Sequence, residues 1–371
     1  MRKPLVSVTM VTCNVDRFLA ESIESILGQT FREFEFIIVD FGSTDKSKAI
    51  ASNYAARDDR VKLHTIPNCR LPEARNEGGL LAQGEYIAIM DADDVSLPNR
   101  LLWQVEFMEK RPEVGVLGGA VEWIDATGRP LQKMQHPLRD AEIQSALLRY
   151  PALWQPTVLI RREAFVLVGG YRAAFPVSHD YDLWLRIAEH FQIANLEQVV
   201  LKYRIHPHQV SLQKRRQQSI CALAARTAAI SRRGGNPDPL NGVREITPEV
   251  LARLGVTEAK QQATLASDCS WWIRSMFGAG QDEPALKSAL EMLRYEWRYA
   301  ERRQIADVHL IVARLYWRQK RFLSSFLAAG RAVLTRPVLA ARPLGSTLRR
   351  VTNGAVRILK EYKRDHWAGR S

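Results

Sequence analysis

"FIIVDFGSTDKS" (residues 36–47) reads as a buried strand that stops at an acid and turns into a helix. Phe36, Ile37, Ile38 and Val39 form the apolar run, and Asp40 ends it. Gly42, Ser43 and Thr44 supply the turn, with Ser43 or Thr44 free to cap a helix beginning near Asp45. Phe41 is the odd residue. It sets a large apolar side chain between an acid and a glycine, at the strand end where open α/β sheets place their ligands.

The same punctuation recurs on both sides of this stretch. Strands are expected at 5–12, 35–40, 61–66 and 85–91, and helices at 17–29, 45–58 and 71–83. Strands separated by helices of this length imply βαβ units and a doubly wound, mostly parallel, Rossmann-like sheet. After Asp91 the pattern loosens. It gives a helix at 98–112, a strand or strand pair at 114–125, a hairpin-like turn at 126–131 and a strand at 156–162. A short glycine-terminated helix, a helix at 179–191 and a strand at 199–206 follow. From about 214 the chain reads as almost wholly helical. The expected divisions are an α/β domain over 1–215, a helical connection and linker over 216–242, and a helical domain over 243–345. A basic amphipathic tail occupies 346–371. Within the helical domain, 307–337 is similar in length and spacing to one tetratricopeptide helix pair.

Bulk properties fit a soluble protein or one peripheral to a membrane. No stretch approaches the roughly 20 apolar residues of a spanning helix. The four cysteines are scattered without CxxC spacing, as expected of a reduced, cytoplasmic chain. The net charge of +13 is not spread evenly: residues 301–371 hold 16 Lys/Arg and 4 Asp/Glu, leaving the first 300 residues at +1. The basicity belongs to the C-terminal portion and not to the α/β body, which argues against nucleic acid as a partner. It suits the inner, anionic face of a membrane.

The strongest chemical signal is "IAIMDADDVSLPNRL" (87–101), where a strand ends and delivers Asp91, Asp93 and Asp94. Three carboxylates in four residues repel one another unless they are solvated or neutralised. In an extended chain Asp91 and Asp93 share a side, so they could share one cation. Oxygen ligation suits Mg2+ or Mn2+, with substrate phosphates completing the shell. A polar turn with a helix cap would explain the same acids. The second signal is "SHDYDLWLRIAEH" (178–190), where Asp180 could project into a cleft as a general base. Asp182 reads as helix-dipole complementarity. The third is His206, at a strand end in "YRIHPHQVS" (203–211).

These blocks occur in the order seen in family 2 glycosyltransferases of the GT-A fold, which the chain resembles over about residues 4–212. The supporting stretches are "VSVTMVTCNVDRFLAESIESILGQTFREFEFIIVDFGSTDKS", "ARNEGGLLAQGEYIAIMDADD", "LIRREAFVLVGGYR", "HDYDLWLRIAEH" and "YRIHPHQVS". The resemblance implies inverting transfer of a sugar from a nucleoside-diphosphate donor, most simply a UDP-sugar, to a glycan or lipid-linked hydroxyl acceptor. It implies Asp180 as catalytic base and a divalent ion, Mn2+ or Mg2+, on Asp93, Asp91 and His206. Donor contacts are implied from Thr12, Asn14, Asp40, Phe41, Arg75, Asp91 and Asp94. The chain departs from the family pattern at three places. His179 stands where Glu often precedes the base, and if protonated it would lower the basicity of Asp180. Cys13-Asn14 replaces a "YN" step, and Phe41 replaces an acid that commonly reads the uracil ring N–H. The competing reading is a non-catalytic nucleotide-sugar-binding or scaffold protein that works through its helical third. A dinucleotide oxidoreductase is distant, because no G-x-G-x-x-G follows the first strand.

Overall fold

The structure is a computed structural model that describes residues 3–206, 209, 213–295 and 300–338. The expected tail at 346–371, the end of the expected helical domain (339–345) and part of "YRIHPHQVS" lie outside the described residues. The chain divides into two compact units, the first ending at Val256 and the second beginning at Thr257.

Four parallel strands anchor the first unit: β1 (Val6–Thr12), β2 (Phe34–Asp40), β3 (Val61–Thr65) and β4 (Tyr86–Asp91). Every residue of β1 and β2 is buried, as expected of strands covered on both faces. The helices α1 (Asp16–Leu27), α2 (Ser47–Ala55) and α3 (Leu71–Leu81) connect them. The sheet continues through β5 (Val95–Ser96), β6 (Val114–Ile124), β7 (Pro130–Met134), β8 (Leu159–Arg161) and β9 (Gln192–Arg204). Its order is β3-β2-β1-β4-β8-β6-β9-β5, with β7 paired to β6. β8 runs antiparallel to β4 and β6, β5 to β9 and β7 to β6, while β6 and β9 are parallel. Among the described strands, most therefore point the same way, as the sequence predicts.

Register aligns the strand ends that carry chemistry. Thr12 sits opposite Asp40, and Val11 opposite Asp91. The acids thus converge at the carboxyl edge of adjacent parallel strands, where such sheets bind ligands.

Several expectations are corrected. Neither Ser43 nor Thr44 caps α2, which starts at Ser47; the Ser47 N–H donates to Asp45 instead (2.9 Å). The stretch 156–162 splits into a 3-10 turn (Gln155–Thr157) and the short β8. α7 (His179–Ile187) ends before 191, and β9 begins at Gln192 and not at 199. Leu196 and Val199 pair with the consecutive residues Gly119 and Ala120, so Glu197 and Gln198 form an irregularity that breaks the period in sequence. The hairpin at Asp125–Arg129 is an Asx turn, with Asp125 accepting from the Thr127 and Arg129 N–H groups; the strand after it, β7, was not expected.

The helices α4 (Arg100–Glu109), α5 (Asp140–Leu147) and α6 (Arg162–Leu167) complete the layers around the sheet. After β9 come α8 (Arg215–Arg233) and α9 (Pro248–Arg253). Cys221, Leu223, Ala224, Ala225 and Leu240 join the core of the first unit, so the segment expected as connection and linker packs within it. The second unit comprises α10 (Glu258–Gly278), α11 (Asp282–Tyr295), α12 (Arg302–Arg318) and α13 (Phe322–Thr335), each packed on its neighbour in sequence. α12 and α13 form a helical hairpin, in which the Ser325 hydroxyl donates to the Ala313 carbonyl (2.7 Å).

Glu35 ties the first three strands together. It accepts from the Ser7 hydroxyl (2.7 Å), the Gln83 N–H (2.8 Å) and Lys62 (2.6 Å). Beside it the Gly84 N–H donates to the Ser7 hydroxyl, and a Cβ on Gly84 would lie 2.6 Å from the Ser7 nitrogen and 2.8 Å from the Val6 carbonyl carbon. Those are backbone atoms that cannot turn aside. Gly84→Ala is expected to cost about 2 kcal/mol of stability, read as a lower urea midpoint; an unchanged midpoint would show that this approach is not tight.

Candidate active site

The acid turn after β4 is held from three sides. From α1, the Ser22 hydroxyl lies 2.9 Å from the Ala92 carbonyl and 2.6 Å from that of Asp94. From β9, the Arg204 N–H donates to Asp94 Oδ1 (2.8 Å) and Arg204 Nε donates to the Asp93 carbonyl (2.8 Å). The Arg204 guanidinium is almost wholly buried, pairs with Glu21 (2.6 Å) and lies over the Phe18 ring at 4.7 Å. Beneath the turn, Arg100 of α4 is buried and donates to the Ile89 and Val158 carbonyls. Burial pushes Arg100 down to about 9, against the opposing pull of Asp94 and Asp91.

The three acids have different fates. Asp93 is partly exposed and meets His206 Nε2 at 2.9 Å. Asp91 accepts from Arg75 of α3 at 2.7 Å. Asp94 is buried, with Oδ2 lacking a partner; burial, Asp93 and Asp91 hold its pKa well above the usual carboxylate range. Asp93 and His206 are therefore brought together, while Asp91 faces Arg75. Among the described residues no three His, Cys, Asp or Glu side chains form a complete metal cage. One carboxylate and one imidazole still fit a divalent ion whose remaining ligands are diphosphate oxygens, and the nitrogen donor suits Mn2+ better than Mg2+.

Asp180 begins α7 behind Ser178, whose left-handed backbone (φ 54°) turns the chain into the helix. Part of the Asp180 surface reaches solvent, yet the surrounding atoms desolvate it. Burial raises its pKa; the Tyr181 N–H and Arg75 oppose that rise, and Asp91 adds to it. Arg75 thus acts electrostatically on Asp180 while bonded to Asp91. Its own pKa is raised, because Asp91, Tyr171 and Asp180 outweigh the cost of burial. His179 is buried, with Nδ1 unpartnered, and packs edge-on against Tyr171 at 5.3 Å. Burial and the Arg75 charge drive its pKa well below the ordinary value, so it is neutral at neutral pH and does not act on Asp180 as a cation. Asp182 is fully buried and paired with Arg186 (2.8 Å) and Arg172 (3.5 Å), a firmer role than helix-dipole complementarity.

The ends of β1 and β2 lie side by side, with Thr12 opposite Asp40. Asn14 has a left-handed backbone (φ 54°), and its Oδ1 accepts from the Thr44 N–H (2.8 Å), the Thr44 hydroxyl and the Asp45 N–H. It clips the two loops together. Asp40 is buried; Oδ1 accepts from the Gly42 and Ser43 N–H groups, and Oδ2 has no partner. Thr12 Oγ1 is likewise buried and unpartnered. Phe41 is half-buried and packs against the core of the first unit.

Sequence reasoning passed over Arg204, Arg100 and Glu21. Arg204 had a legible signal: strand alternation puts it on the same side as His206, two residues later. Arg100 and Glu21 had none, since their partners lie on other elements.

Comparison with known proteins identifies the family. Residues 7–167 match the family model "Glycosyl transferase family 2". An uncharacterized glycosyltransferase of Methanocaldococcus jannaschii is 35% identical over 210 residues, 55% of this chain and 72% of the relative. The O-antigen biosynthesis glycosyltransferase WbnJ of Escherichia coli is 32% identical over 207 residues, 54% of this chain and 80% of the relative. Among solved structures, the mannosyltransferase PcManGT from Pyrobaculum calidifontis, in complex with GDP-Man and Mn2+, aligns with a TM-score of 0.49 at 18% identity, over 91% of this chain and 89% of that one. Staphylococcus aureus TarS 1–349 in complex with UDP aligns with a TM-score of 0.46 at 17% identity, over 89% and 88%. With the relatives matched over more than two thirds of their length, the chain belongs to glycosyltransferase family 2 and is a transferase.

Proposed function

We propose that this enzyme transfers a sugar, with inversion, from a nucleoside-diphosphate donor to a hydroxyl of a growing surface glycan. The observation that carries this reading is the pairing of Asp93 with His206 at 2.9 Å, on the same sheet edge as the Arg75–Asp91 pair whose field acts on Asp180. The O-antigen relative supports polysaccharide assembly as the setting.

In this reading Asp93 and His206 hold a divalent cation, Mn2+ or Mg2+, whose Lewis acidity offsets the charge of the leaving diphosphate. Asp91 does not join them; it orients Arg75. Asp180 removes the acceptor proton on the face opposite the leaving group, and that single displacement inverts the anomeric centre. A desolvated carboxylate is a stronger base than an exposed one, and the Arg75 charge partly offsets that rise in favour of the ionised form. Asp40 Oδ2 and Thr12 Oγ1 are the natural readers of the donor base, being buried and without partners. An unpaired buried acceptor costs about 1–3 kcal/mol, which a donor N–H would return.

Two outcomes are expected. Asp180→Asn should lower kcat about a hundredfold or more while donor binding survives, whereas Asp93→Ala should lose the Mn2+-dependent part of donor binding. Turnover of UDP-, GDP- and dTDP-sugars with Mn2+ measures the first and calorimetry the second; unchanged turnover in both variants would remove Asp180 and Asp93 from the mechanism, and donor binding by the wild-type chain without turnover would leave a non-catalytic binding protein. The second outcome concerns pH. Because the base must be ionised and its pKa is raised, kcat should fall as pH drops through a value above the usual carboxylate range. Arg75→Gln removes a charge that favours the ionised form, so this acid limb should move to higher pH; a stationary limb would remove Asp180 as the titrating group.

A further inference from the structure

The final described helix, α13, presents leucine where a surface helix presents polar residues. Leu323 is 67% exposed, Leu327 59% and Leu334 83%, with Val338 just beyond the helix at 58%. At about 100° per residue, Leu323, Leu327 and Leu334 fall within a narrow sector of the helix surface. The opposite side carries the buried Ser325, Ala328, Ala329 and Ala332, which pack on α12. The helix thus has an outer leucine stripe as well as a packed inner face, and that stripe is uncovered among the described residues. Single exposed leucines need no explanation, but an aligned set marks an interaction surface.

Charge selects the occupant. Lys320, Arg321 and Arg331 are exposed at the turn before α13 and along it. Residues 301–371 together carry a net +12. A second copy of the chain, or this chain's own segment 339–371, would bring positive charge against positive charge. An apolar stripe bordered by cations is complementary to a bilayer with anionic headgroups, where leucines enter the acyl boundary and Lys and Arg remain at phosphate level. We infer that the outer face of α13 is a membrane-docking surface, with Leu323, Leu327 and Leu334 as its apolar anchors and Lys320, Arg321 and Arg331 as its electrostatic rim. The inference stands independently of the catalytic residues, since none of them lies in this unit.

The test is co-sedimentation of the full-length chain with vesicles of phosphatidylcholine alone and of phosphatidylcholine mixed with phosphatidylglycerol. Binding is expected to the anionic vesicles, to be weakened by salt, and to be much reduced on neutral ones. Leu327→Ser and Leu334→Ser should each reduce partitioning about tenfold, with donor turnover unchanged, because both side chains are exposed in the free protein. Full binding by the double variant would assign membrane affinity to other residues and overturn the inference. So would equal binding to neutral and anionic vesicles. A concentration-dependent dimer that the same substitutions dissociate, with no vesicle binding, would show that the face is covered by a second copy.

Discussion

Three carboxylates in four residues can occupy one turn only if something offsets their repulsion, and Arg204 is the residue that holds that turn in place. Its backbone N–H fixes Asp94, its Nε fixes the Asp93 carbonyl, and its guanidinium is anchored on Glu21 and the Phe18 ring. One strand end thereby locks another, and the His206 imidazole, two residues further along, arrives at Asp93. Arg100 supplies positive charge from beneath, and Arg75 neutralises Asp91 from the side. Burying so many charges is tolerable because each has a partner or a neighbouring carbonyl. The three acids end in different surroundings: Asp94 is buried against Arg204, Asp91 pairs with Arg75, and Asp93 meets a histidine.

Arg75 links that arrangement to the base. It is bonded to Asp91 and acts through space on both His179 and Asp180. The same charge that favours ionised Asp180 disfavours protonated His179, so His179 adds no positive charge beside Asp180 at neutral pH. The left-handed Ser178 turns the chain so that both residues enter α7 at its first turn. A non-glycine residue in that conformation is uncommon, and here it stands immediately before the residues it presents.

Much of this was legible in the sequence, for identifiable reasons. Strand runs ending in acids announce the parallel sheet and its functional edge, because periodicity and turn chemistry are local signals. Asp93, His206 and Asp180 stand out because their blocks follow one another in a recognisable order. What escaped was non-local. Asp45, and not Ser43 or Thr44, serves the start of α2, because Asn14 from another strand has already engaged that loop. The first half of β9 was hidden by the exposed Glu197 and Gln198, which interrupt its alternation. Asp182 read as a helix-end acid, yet it is the buried partner of Arg186 and Arg172. Phe41, conspicuous in sequence, packs on the core, and beside it Asp40 Oδ2 is left without a partner.

The assignment of Asp93 and His206 as the ion-holding pair has one direct measurement. Anomalous scattering at the manganese edge, from crystals grown with Mn2+ and a nucleoside diphosphate, locates the ion without reference to activity. A peak within bonding distance of both Asp93 and His206 Nε2, with Asp91 still paired to Arg75, is the expected result. A peak on Asp91 and Asp94 with His206 turned away, or a diphosphate bound with no ion between it and Asp93, contradicts it.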